Sequence, residues 1–180
     1  MNNLTSVASA AGSSRTLSRV AAIMLAFLLA VGVNIAQGSA TAHAATPGAK
    51  AASYARSSLV GKPYVLGGSK TSGFDCSGAV YLAWKKGKAN VVPRTSSADL
   101  YKNAKGFKKI AITKGATLAA NALKPGDLVF WAYNGNKVNH VAIYLGKGEI
   151  LQTQSGKKSW IGSVNDGKAS RMPYALRPVS

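Results

Sequence analysis

Very little in this sequence of 180 residues can close a disulfide, hold a metal or carry negative charge. Cys76 is its only cysteine, so no disulfide can form within the chain. It has 2 histidines and 5 acidic residues against 23 lysines and arginines. Donors so sparse do not make a three-ligand cluster, and no metal or other cofactor is expected. Nothing repeats at a fixed period and no low-complexity linker divides the chain, which points to one domain. The basic excess lacks the interleaved aromatics of a nucleic-acid-binding motif, so nucleic acid is not an expected partner.

What is present begins with an export signal. Arg15 and Arg19 precede the almost wholly apolar run Val20–Val33, 14 residues long, and a small-residue stretch ends in Ala42-His43-Ala44. The run is shorter than the roughly 20 residues of a membrane span. Its order of charge, apolar core and A-x-A is that of a cleavable signal peptide over residues 1–44, with Ala45 as the mature start. No cysteine stands at the expected cleavage point, where Ala45 follows, which argues against lipoprotein attachment, and no stable membrane insertion is expected after cleavage. Removing residues 1–44 from 180 leaves 136: a short stub over 45–50 and a domain over 51–180. Two of the 23 basic residues lie in the signal, leaving 21 against 5 acids, a mature charge of +16. Lys85, Lys86, Lys88, Lys102, Lys105, Lys108, Lys109, Lys157 and Lys158 mark its dense places. Such a field favours anionic cell-wall polymers as partners.

The pattern Ala51, Ala52, Tyr54, Ala55, Leu59 predicts a short amphipathic helix over Lys50–Leu59, stopped by Gly61-Lys62-Pro63. Tyr64–Gly68 reads as extended and Ser69–Gly73 as loop. Asp75 is placed to cap a helix running to Trp84 and closed by Lys85-Lys86-Gly87; Thr95 or Ser96 caps another through Leu100 and Tyr101. Leu118–Leu123 fits no single period. Beyond the turn Lys124-Pro125-Gly126-Asp127 the period becomes two. Strands are predicted over Leu128–Tyr133, Val138–Leu145 and Glu149–Gln154, joined by a tight turn at Asn134-Gly135-Asn136 and a second turn at Gly146-Lys147-Gly148. Helices followed by a meander argue for an α+β fold with N-terminal helices packed on an antiparallel sheet.

A capping Asp75 puts Cys76 in the first helical turn. Unpaired amide N–H groups and the positive helix end favour a thiolate there, and the same amides can hold an oxyanion. Ser77 and Gly78 keep the surroundings uncrowded. His140, the only histidine past the signal, begins a strand in which Val141, Ile143 and Leu145 share one face, and His140, Ala142 and Tyr144 the other. Thiol and imidazole together are the parts of a cysteine nucleophile and its base. Strand parity supplies an orienting third group. A three-residue loop at Gly146–Gly148 puts His140 opposite Gln154 with Gln152 its diagonal neighbour, whereas a two-residue loop turns both glutamines away.

Five segments in order carry a resemblance: Gly61-Lys62-Pro63-Tyr64-Val65-Leu66-Gly67-Gly68, Phe74-Asp75-Cys76-Ser77-Gly78, Pro93-Arg94-Thr95-Ser96, Leu123-Lys124-Pro125-Gly126-Asp127-Leu128-Val129-Phe130 and Asn139-His140-Val141-Ala142-Ile143-Tyr144-Leu145-Gly146. Over about residues 50–165 the chain resembles the NlpC/P60 family of papain-like cysteine peptidases. The resemblance implies Cys76 as nucleophile, His140 as base and Gln152 as the third polar residue, where the family usually has histidine. It also implies Tyr64 beside the nucleophile, supporting the cysteine or the oxyanion along with Ser77. Leu66 stands where the family often has tryptophan, which would reshape one cleft wall.

The expected function is an exported peptidase that hydrolyses amide bonds in peptidoglycan stem peptides through an acyl-enzyme, and the resemblance implies the bond between γ-D-glutamate and a diamino acid. Asp75 and Arg94 are candidates to meet a stem-peptide amine or carboxylate. The alternatives are a cationic wall-binding domain without turnover, and an amidase or acyltransferase that cleaves the muramoyl–alanine amide with the same centre.

Overall fold

A computed structural model describes residues 45–87 and 91–179. The expected signal over 1–44 and the basic Lys88 lie outside the described residues. The first helix, α1 (Pro47–Ser58), starts earlier than its apolar pattern suggests. Thr46 accepts from the Ala49 N–H at 3.2 Å, and Pro47 takes the first helical position, where a missing N–H costs nothing. The expected stub at 45–50 is therefore largely helix. Ala51, Ala52 and Ala55 form its buried face.

Two short strands, β1 (Ser69–Lys70) and β2 (Gly73–Phe74), pair antiparallel immediately before α2 (Cys76–Lys86). The third helix, α3 (Ser97–Lys102), is capped by Ser96. Then come β3 (Phe107–Ala111), β4 (Leu128–Trp131), β5 (His140–Gly146), β6 (Glu149–Gln152), β7 (Trp160–Ser163) and β8 (Tyr174–Pro178). These six form one sheet in the order β3-β8-β4-β5-β6-β7, every pairing antiparallel. The architecture is α+β, with α1 and α2 packed on β5.

Alternation along the central strands gives the sheet two buried faces. Leu128, Phe130, Val141, Ile143 and Leu151 meet the helices through Ala55, Leu59, Val80 and Trp84. Val129, Trp131, Ala142, Tyr144 and Ile150 face the opposite side with Val164 and Ala175. Arg171, 0% exposed, organises the loops on that side: its guanidinium donates to the carbonyls of Val164, Thr113 and Ala116 and to Asn165 Oδ1. Arg177 forks onto both oxygens of Asp127 at 2.7 Å, tying β8 to the turn before β4.

The expected Ser69–Gly73 loop contains β1 and the start of β2, and three strands of the large sheet also have no counterpart in the sequence reading. In β3 two adjacent lysines break the alternation, β7 contains Gly162, and β8 ends in proline. The β4 and β5 strands are shorter than predicted at the ends that face each other, so a connection over 132–139 replaces the tight turn. The β5–β6 turn corrects the parity expectation. Gly146 pairs with Glu149, leaving a two-residue turn of Lys147 (φ 55°) and Gly148 (φ 81°), the left-handed pair of a type I′ hairpin. A bulge between Tyr144 and Gly146 then shifts the register by one, so that Tyr144 faces Ile150 and Ile143 faces Leu151. Turn and bulge together restore the alignment that a three-residue loop would give.

Close backbone approach fixes where α2 begins. A Cβ at Gly78 would overlap the Gly68 carbonyl oxygen and stand 3.2 Å from Asp75 Oδ1. Gly78→Ala is expected to destabilise the fold by about 2–4 kcal/mol, because backbone rather than a flexible side chain must move. Urea unfolding measures this, and a loss below about 0.5 kcal/mol would show that the helix start is not so confined.

Candidate active site

Asp75, the residue preceding α2, is buried and extended (φ −91°, ψ −176°). Its Oδ1 accepts from the Gly78 N–H at 2.7 Å and the Ser77 hydroxyl at 2.9 Å. Its Oδ2 accepts from the Gly67 N–H at 2.8 Å and pairs with Arg94 at 3.1 Å. Burial acts to raise its pKa, but these four donors outweigh burial and hold the carboxyl below the usual carboxylate range. Arg94 also donates to Ser77 Oγ at 2.7 Å and to the Thr95 and Gly68 carbonyls. Asp75 and Arg94 are thus given to each other and to the helix start; neither lines the cleft as a substrate contact. The Ser77 hydroxyl lies between them, so this residue can support the thiol only through its backbone N–H.

Cys76 is the first residue of α2 and is packed against the core. Burial pushes its thiol above the ordinary value, and the Asp75 charge adds to the rise, against the N–H groups of Val141, Ser77 and Cys76 itself, which favour the thiolate. The expected depression by the helix end is therefore overridden by desolvation. Tyr64 makes an isolated bridge to Phe74 and shares the cleft with Cys76. Burial raises its phenol pKa, with the Cys76 and Asp75 charges adding to it. Leu66 is 83% exposed and stands clear of the cleft wall.

His140 opens β5 directly across from Trp131. Its Nε2 lies 2.9 Å from Gln152 Oε1. An amide oxygen only accepts, so in this arrangement Nε2 carries the proton and Nδ1 keeps the lone pair that a base needs. The Trp131 and Tyr133 rings lie 5.5 and 5.9 Å from the imidazole. Burial pulls the His140 pKa below 6.5, and the Gln152 hydrogen bond partly opposes it. Both shifts favour the uncharged forms, a neutral thiol and a neutral imidazole lining one cleft.

Tyr64, Cys76, His140, Gln152 and Gln154 line one cleft of about 530 Å³. Of the two glutamines that parity allowed, it is Gln152 that bonds the imidazole. Tyr133, Asn139, Thr153, Ser155, Trp160 and Asp166 complete the walls and were not foreseen. Only Asn139 was within a quoted segment; Tyr133 and Thr153 lie at the ends of predicted strands, just past the observed β4 and β6, and Ser155, Trp160 and Asp166 come from the chain beyond, where no strand was predicted. Among the described residues no group of three or more His, Cys, Asp or Glu is placed to hold a metal.

The profile of the NlpC/P60 family matches residues 61–174. Murein DD-endopeptidase MepH of Escherichia coli (strain K12) is 36% identical over 123 residues, covering 67% of this chain and 42% of that protein. The gamma-D-glutamyl-L-lysine dipeptidyl-peptidase of Bacillus subtilis (strain 168) is 34% identical over 103 residues, 56% of this chain and 30% of that one. This chain thus spans less than half the length of either curated relative. Among solved structures, the NlpC/p60 domain of the peptidoglycan hydrolase SagA superposes with a TM-score of 0.51 at 31% identity, covering 72% of this chain and 97% of that chain.

The imidazole provides a direct test. Burial disfavours the imidazolium, so the His140 ring should titrate below 6.5. Gln152→Ala removes the acceptor that stabilises the charged ring, and the titration should then move lower still. NMR of the His140 ring in both proteins measures this; a midpoint above 6.5, or one unmoved by Gln152→Ala, would contradict the arrangement.

Proposed function

Since the chain belongs to the NlpC/P60 family, we propose that it is an exported cysteine peptidase that hydrolyses an amide bond in peptidoglycan stem peptides. The observation carrying this reading is the convergence of Cys76, His140 and Gln152 on one cleft, with the imidazole held at 2.9 Å by an acceptor-only oxygen. The bond assigned is that between γ-D-glutamate and a diamino acid. The name of the Bacillus relative supports that bond; the name of the Escherichia relative specifies a DD-endopeptidase instead.

As the Cys76 Sγ–C bond forms at the scissile carbonyl, Nδ1 of His140 takes the thiol proton. The amides at the start of α2, with the Tyr64 hydroxyl beside them, stabilise the oxyanion. Collapse of the tetrahedral species breaks the C–N bond, and His140 returns its proton to the departing amine. A water, deprotonated by the same imidazole, then cleaves the thioester to the γ-carboxylate and the free thiol. Gln152 keeps the imidazole in one tautomer throughout. Because the resting pair is neutral, the thiol proton moves with bond formation.

Residues 1–44 serve export in this reading, with maturation at Ala45, and place the enzyme in the wall or outside the cell. The +16 mature charge draws it to anionic wall polymers. A second reading, a wall-binding domain without turnover, is favoured by one observation: burial both raises Cys76 and lowers His140, so no charged pair stands ready.

Digestion of defined muropeptides with products identified by mass separates these readings. The parent chain should release a new diamino-acid amine terminus. Cys76→Ala should abolish release, and Gln152→Ala should lower kcat/KM about 10²-fold by misplacing the ring. Undiminished cleavage by Cys76→Ala would remove the proposal, a muramoyl–alanine product would favour the amidase, and wall binding without products would favour the second reading.

A further inference from the structure

The 5 acidic residues of the chain are not used alike. Asp75, Asp127 and Glu149 are each ion-paired with an arginine: Arg94, Arg177 and Arg56. Asp99 accepts from Ser96 within the cap of α3. Asp166 is the acid that lines the cleft, and it is exposed. Among the described residues it forms no ion pair, in a chain with 23 lysines and arginines.

Its carboxylate is nonetheless fixed in direction. Oδ2 accepts from the Ser163 N–H at 2.9 Å, and the Asp166 carbonyl accepts from Trp131 Nε1 at 3.0 Å. A Cβ at Gly162 would stand 2.9 Å from Gln152 Cγ, 3.1 Å from Asp166 Oδ2 and 3.4 Å from Trp160 Nε1. The carboxylate therefore sits beside the glutamine that holds His140. Gly167, the next residue, packs on the Tyr133 ring, and Tyr133 lies 5.9 Å from the imidazole. Asp166 belongs to the imidazole flank of the cleft, across from the helix end that carries Cys76.

We infer that Asp166 is a specificity-determining residue that binds an ammonium group on the leaving-amine side of the scissile bond. This rests on the proposed reading and deepens it. His140 hands its proton to the departing amine, so the residue bearing that amine occupies the imidazole flank. A diamino acid there brings a second amine, charged when free, and Asp166 is the carboxylate available to it. The Tyr133 and Trp160 rings flank the approach and can cover the methylenes leading to that amine. A residue whose side-chain amine is acylated loses the charge and with it this contact.

The test uses the full chain carrying Cys76→Ala, titrated by calorimetry with L-Ala-γ-D-Glu-L-Lys and with the same peptide acetylated on the lysine side chain. The free-amine peptide should bind about fivefold more tightly, the size expected for one partly exposed ion pair. Asp166→Asn, which keeps an acceptor for Ser163, should erase that preference without weakening the acetylated peptide. Asp166→Glu, which keeps the charge, should retain part of it. Equal affinities, binding of neither peptide, or a preference that survives Asp166→Asn would overturn the inference. Turnover by the parent chain is read separately. Cleavage of both peptides at equal rates leaves the peptidase reading standing without Asp166. Cleavage of neither, with the binding preference intact, leaves Asp166 standing without the peptidase.

Discussion

The carboxylate of Asp75 joins pieces of chain that would otherwise have no common reference. It receives the Gly67 amide from the loop, the Gly78 amide and Ser77 hydroxyl from the helix, and the Arg94 guanidinium from the segment beyond. Each donor fixes one edge of the position where Cys76 begins its helix. Desolvating an ion pair is costly, and such pairs are weak evidence for stability in themselves. Here the gain is in placement: four donors converging on one carboxylate leave the helix start a single arrangement, and the sulfur follows.

The same burial that fixes the thiol also governs its chemistry. A helix end and three nearby amides favour the thiolate, yet desolvation outweighs them and Asp75 adds a like charge. On the other side, desolvation keeps the imidazole neutral. In the proposed reaction the proton would therefore move during attack rather than from a standing ion pair. Neutral Gln152 suits this balance. It sets the tautomer through one hydrogen bond and brings no charge of its own to the ring.

What could be read from the chain itself follows from how local each cause is. Capping by Asp75, the α2 helix, the face-sharing of His140 with Ala142 and Tyr144, and the α+β class all arise from near neighbours or a regular period. The NlpC/P60 membership was likewise legible, since five ordered segments carry it and the family profile spans 61–174. The opposite holds for β3 and β8, whose pairing partners lie far along the chain, and for β7, which pairs with the preceding β6; their own patterns are broken by Lys108-Lys109, Pro178 and Gly162. Arg94 was visible as a cation but not as the partner of Asp75, because that contact spans 19 positions. Asp166 and Trp160 could not be placed in the cleft for the same reason: the fold, not any local pattern, brings them beside Gln152.

The β5–β6 hairpin has an implication for how this domain can change in length. A two-residue turn alone would invert the outlook of every side chain before it, and the bulge near Leu145 inverts them back. Losing or gaining one residue in that hairpin would swing Gln152 away from the imidazole unless the bulge vanished or appeared at the same time. Insertions and deletions here should therefore be inherited in compensating pairs, a signature to be sought in the evolutionary record of the hairpin rather than in any single chain.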